Sequence, residues 1–179
     1  MRGFEAQTLR REARCVMRAM KPIAIYPPLS PESESAIKDL ERALRIRLPE
    51  DYRCFLKTTG GGGVDFDNCW IDPAKHAQLP YSVLFSYLWT ISEVQKAIKN
   101  YRGRIPYEMM PIGRDIGGDL FLLGYSAANE GIYYWDHEQE DAAYELIAQI
   151  PPLDRIQYFK VADSFTEFAD MLERMPEQS

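Results

Sequence analysis

Apolar positions along this chain change their period twice, and the changes divide it into segments. From Leu9 to Met20, the apolar residues Leu9, Ala13, Val16, Met17 and Met20 recur at spacings of three and four, the signature of one helical face. Pro22, Pro27 and Pro28 break that pattern, so residues 1–28 read as a helical extension with a Pro-containing linker, and the main domain as 29–179. The extension is a helix that docks on the body, a partner-binding arm or an extended start; its pattern does not choose.

The body opens with helical signals. Ser30 reads as an N-cap, Pro31 as the first helical position, and Glu32 and Glu34 suit the positive end of the dipole. Ile37, Leu40 and Leu44 form the buried stripe. Leu48-Pro49 separates this helix from a second, on which Tyr52, Phe55 and Leu56 share a face. Gly60 to Gly63 ends it, glycine being at ease in the left-handed conformation that follows a helix. No strand precedes that run and no Gly-Lys-Ser/Thr closes it, so it is not a phosphate loop.

Beyond the glycines the period falls toward two. Asn68–Ile71 and Val83–Leu88 read as strands, followed by a helix capped by Thr90 or Ser92 with Val94, Ile98 and Tyr101 inward. Met110–Ile112, Asp119–Tyr125 and Gly131–Trp135 are three strands with short Gly- and Asn-containing links, and such links impose an antiparallel meander. Tyr144–Ile147 is a candidate further strand. Tyr158–Val161 leads into a last helix capped by Asp163 or Ser164, with Phe165, Phe168, Ala169 and Leu172 on one face. The fold class expected is α+β: a single domain whose mostly antiparallel sheet packs against about four helices, plus the N-terminal helical extension.

Charge sharpens the picture. The first 21 residues carry six basic against two acidic side chains, a balance of +4, so a chain of net −6 leaves −10 on the remainder. Such a body repels nucleic acid and attracts basic partners, chiefly by steering; simple solubility is the alternative. No apolar run reaches the length of a membrane span, and the charged N-terminus lacks the apolar stretch of a secretory signal. Cys15, Cys54 and Cys69 are odd in number and widely spaced, which argues against a disulfide framework or zinc site and for the reducing cytoplasm.

Catalytic signals are thin. His76 and His137 are the two histidines, and no GxSxG elbow occurs. His137 stands among Asp136, Glu138, Glu140 and Asp141, but successive residues on a strand point to opposite faces and so do not converge on one metal. The expectation is a protein that is not an enzyme and needs no metal or cofactor.

Leu48-Pro49-Glu50-Asp51-Tyr52 with Phe55, the glycine cluster, Pro111-Ile112-Gly113, Asp115, Gly117-Gly118-Asp119 and Tyr134-Trp135-Asp136-His137-Glu138 together resemble the SUKH superfamily, the group of the Smi/Knr regulators. The resemblance spans about residues 29 to 172 and implies an α+β fold. It also implies, for many bacterial members, immunity proteins that bind a toxin domain, often a nuclease. The basic extension has no counterpart in it.

Within that pattern Leu48, Pro49, Tyr52, Phe55, Gly113, Gly117, Gly118 and Trp135 read as architecture, the three glycines relieving clashes in a tight turn. Asp115 and Asp119 either bond to turn amides or join Asp136 in an acidic edge. The candidate partner-binding set is Asp65, Asp67, Trp70, Asp115, Asp119, Asp136 and Glu138, with Trp70 as a possible anchor. The partner expected is a basic toxin domain, with no nucleic acid and no membrane. The different reading is an intracellular scaffold of the Smi/Knr kind that binds a host signalling protein. Monomer and homodimer are both open.

Overall fold

The structure is a computed structural model, and it describes residues 29–63, 69–71, 83–106, 108–137 and 158–174. The N-terminal extension, the loop with Asp65 and Asp67, Glu138 and the candidate strand 144–147 lie outside the described residues.

The chain order is α1 (Glu34–Leu44), α2 (Glu50–Thr58), β1 (Gly62–Gly63), β2 (Cys69–Ile71), β3 (Val83–Leu88) and α3 (Ile91–Asn100). There follow β4 (Met109–Asp115), β5 (Leu120–Gly124), β6 (Gly131–Trp135), β7 (Tyr158–Ala162), α4 (Phe165–Met171) and β8 (Glu173–Arg174). The sheet runs β7-β6-β5-β4-β3-β2-β8, with β1 beside β3, and every pairing is antiparallel. An α+β domain with a central meander is what the structure shows.

The first helix starts later than the sequence suggests. Ser33, not Ser30, is the N-cap, its hydroxyl accepting from the Ala36 amide. Glu32, expected to sit in the first turn, instead accepts from the Ile91 amide at 2.9 Å and so secures the start of α3. Its own amide donates to the Leu56 carbonyl, which holds the segment before α1 against α2. Thr90 is the cap of α3, in a reciprocal capping box with Glu93. Ser164 is the cap of α4.

Residues on β5 and β6 are buried on both faces. Phe121, Leu123, Ile132 and Tyr134 enter the main core with Ile37, Leu40, Tyr52, Phe55, Phe165 and Phe168. The alternate positions Leu120, Leu122, Tyr133 and Trp135 join Ile105 and Met109 in a second cluster. The period of two thus sorts one strand between two cores. Arg104 lies over the Tyr101 and Trp135 rings, 5.5 and 5.2 Å from their centroids, and caps the second cluster with a cation–π contact.

Leu48, Tyr52 and Phe55 are buried, and Pro49 occupies the N-cap position of α2. The cysteine expectation needs correction, because Cys54 is disulfide-bonded. That removes the support that reduced thiols lent to a cytoplasmic location. No helix among the described residues is long and apolar enough to cross a membrane.

Candidate functional site

Register brings most of the candidate residues to one end of the sheet. Trp70 pairs with Leu84, and the Leu84 carbonyl accepts from the Ile116 amide at 3.1 Å just past β4. Leu120 pairs with Trp135, so Asp119 and Asp136 leave β5 and β6 side by side. Trp70, Asp115, Asp119 and Asp136 therefore lie along one edge of the fold, with His137 following Asp136.

The β4–β5 turn is held by its first carboxylate. Asp115 Oδ1 accepts from the Gly118 and Asp119 amides at 2.8 and 2.9 Å, the turn-bonding option raised for this residue. Gly118 takes φ +98°, which a side chain would strain. A Cβ on Gly113 would stand 2.5 Å from the Tyr87 carbonyl oxygen, so the close approach of β3 at the β4 bulge also requires glycine. Gly117 differs from the clash expectation, since a Cβ there would meet the Asp115 carboxylate at 3.4 Å, an ordinary contact.

Behind the turn sits a buried polar chain. The Tyr134 hydroxyl is 3.0 Å from Asp115 Oδ2 and 2.7 Å from Asp119 Oδ2. Asp119 Oδ1 accepts from the His137 amide at 2.9 Å and pairs with the His137 ring at Nδ1. Asp115, Asp119 and Asp136 are only 8%, 8% and 5% exposed. Burial raises the Asp115 carboxyl above the usual carboxylate range against the hydrogen bond from Tyr134, and the Asp119 charge adds to the rise.

These carboxylates thus face inward, and the surface of the edge is made by what they hold in place. Ile116 is 63% exposed, the one large apolar side chain left open among the described residues. Gly117 is exposed beside it, and the His137 side chain is 38% exposed. Tyr134, His137 and Ile116 were not in the sequence-derived set. Tyr134 is masked by its place in the apolar run GIYYW, whereas the turn length between β5 and β6 carries the register that pairs Asp119 with His137. Among the described residues no group of three or more His, Cys, Asp or Glu is arranged to hold a metal ion. Trp135 is fully buried, with no hydrogen-bond partner for its Nε1 among the described residues.

The chain is thus an α+β domain with an antiparallel meander and a clamped turn at one end of the sheet. The model of the SMI1 / KNR4 family (SUKH-1) matches residues 31–171, and the chain belongs to that family. It is also similar to the SPbeta prophage-derived uncharacterized protein YokK of Bacillus subtilis (strain 168). The two are 28% identical over 160 residues, covering 80% of this chain and 74% of the relative.

Proposed function

We propose that this protein is an immunity-type binding protein that neutralises a basic toxin domain, of the nuclease kind, by covering its active site. Membership of the SMI1 / KNR4 family (SUKH-1) over residues 31–171 carries this reading. Two further observations support it: the −10 balance outside the N-terminal extension, and a relative described as prophage-derived, from a mobile-element setting.

The proposed contact edge is the sheet end built from the β4–β5 turn and His137. Ile116 is its apolar anchor, and Trp70, Asp65, Asp67 and Glu138 are its flanking candidates. Asp115 and Asp119 act there through the turn they hold, with the Asp119 charge felt from beneath the surface, and Asp136 adds to that charge. An exposed apolar side chain on a rigid turn suits a binding hot spot because little freedom remains to be lost on association.

Co-expression with a toxin domain encoded beside this chain tests the reading. Rescue of growth together with a co-purifying complex is the expected result. An active toxin that is neither bound nor neutralised overturns the pairing. Charge steering further predicts an association rate that drops steeply between about 50 and 500 mM salt; a salt-independent rate points instead to the scaffold reading.

A further inference from the structure

Proton counting at the β4–β6 edge leads beyond the binding reading and does not depend on it. Tyr134 has one hydroxyl hydrogen, yet its oxygen is within hydrogen-bond distance of carboxyl oxygens on both Asp115 and Asp119. One hydrogen serves one acceptor. With both carboxyls ionised, the other oxygen would face a lone pair away from water, a costly arrangement. A second proton relieves it, and the surrounding donors decide where it sits. Asp119 Oδ1 faces the amide and ring of His137, and Asp119 Oδ2 makes the shorter contact with Tyr134. Asp115 has only two neutral amides, both on Oδ1, so its Oδ2 is left with Tyr134 alone among the described residues.

We propose that Asp115 carries a proton in the native protein and donates it to the Tyr134 oxygen, while the Tyr134 hydroxyl donates to the Asp119 carboxylate. The β4–β5 turn is then closed by a protonated latch, and deprotonation of Asp115 loosens it. The upward shift of the Asp115 carboxyl by burial agrees in direction. Among the described residues no cationic side chain pairs with Asp115. β3 brings Phe85, Ser86 and Tyr87 alongside, β5 is apolar, and Phe168 of α4 packs on Phe85 and Phe121. On α4, Glu167 accepts from the Asp163 amide and Asp170 is exposed. Arg114 is exposed on β4 itself, and Asp136 and His137 lie beyond Tyr134 on the β6 side.

The sign follows from the raised carboxyl. Its stabilising contribution is complete below the unfolded-state value of about 3.9 and is lost as pH rises through the folded-state value. Asp115→Asn keeps the Oδ1 acceptor and supplies a permanent donor to Tyr134, so it mimics the protonated latch at every pH. Asp119→Asn leaves one acceptor oxygen where two carboxylate oxygens met the Tyr134 hydroxyl and the His137 amide.

The experiment compares the thermal unfolding of wild type, Asp115→Asn and Asp119→Asn from about pH 4 to 8, alongside a carbon-13 titration of the Asp115 carboxyl in wild type. We expect Asp115→Asn to match or exceed wild type at neutral pH, with the difference shrinking toward pH 4, and Asp119→Asn to lower Tm by at least about 4 °C. The Asp115 carboxyl should titrate well above about 3.9. Equal losses in the two variants, or an Asp115 carboxyl titrating at or below the ordinary value, overturn the proposal. The wild-type titration decides the matter even if a variant fails to fold.

Discussion

Two buried polar clusters in this molecule solve the same electrostatic problem in opposite ways. Between α1 and α2, Arg53 is 9% exposed and pairs with Glu34 and Glu41 at 2.6 Å each, with Lys57 3.3 Å from Glu34. Burial alone would pull the Arg53 guanidinium down, but Glu41 and Glu34 more than offset it and raise it. Glu34, partly desolvated, is nonetheless held below the usual carboxylate range by Lys57 and Arg53. At the β4–β6 edge, by contrast, carboxyls face each other across a tyrosine, with the His137 ring paired to Asp119. The first cluster is closed by opposite charge, the second by a shared proton. A site where burial pushes the Asp115 carboxyl toward neutrality beside an exposed surface is the better functional candidate, because scaffolding alone has no need of that arrangement.

The contrast breaks first at Arg53. Arg53→Met leaves Glu41 and Glu34 without their buried cation, and unfolding in denaturant should show a loss of roughly 3 kcal/mol. The acid limb should also flatten: the Glu34 contribution is present above the unfolded carboxylate range and is lost as pH falls through its lowered value, whereas the Asp115 contribution is lost as pH rises. The two clusters therefore predict opposite pH slopes, separable by unfolding Arg53→Met and Asp115→Asn over the same pH range. Next in size, Tyr134→Phe removes the bridging hydroxyl and should lower stability by about 2 kcal/mol at neutral pH, read in the same denaturant assay. Gly118→Ala strains the φ +98° turn and should lower stability by about 1 kcal/mol, with faster amide exchange at Asp119. The smallest effect, somewhat under 1 kcal/mol, is expected for Thr90→Ala, which removes one half of the α3 capping box and no member of either cluster.

The sequence shows the helices and the meander because their patterns are local. Ile37 and Leu40, Phe165 and Phe168, and the run of β6 repeat at the period of their element. β1 escapes such a reading: Gly62 and Gly63 have no side chain to pattern, and the strand exists because their backbone pairs with Leu88 and Tyr87. β8, two residues long, forms only by pairing with β2. Ser30 resembles a cap as well as Ser33 does; the long-range bond from Glu32 to Ile91 decides between them. At the site, the Asp115 turn is legible because its partners are three and four residues away. Tyr134 and His137 reach partners fifteen to nineteen residues distant, and only the register of β4, β5 and β6 brings them there.

The most direct measurement of the account compares wild type, Ile116→Asp and Lys38→Asp for thermal unfolding and for rescue of cells expressing the neighbouring toxin domain. Lys38 is an exposed residue of α1, on the charge-paired side of the molecule. The account predicts that Ile116→Asp unfolds at the wild-type temperature yet neither binds nor rescues, while Lys38→Asp does both. An Ile116→Asp protein that still rescues in full would contradict the claim that partners meet this protein at the latched turn.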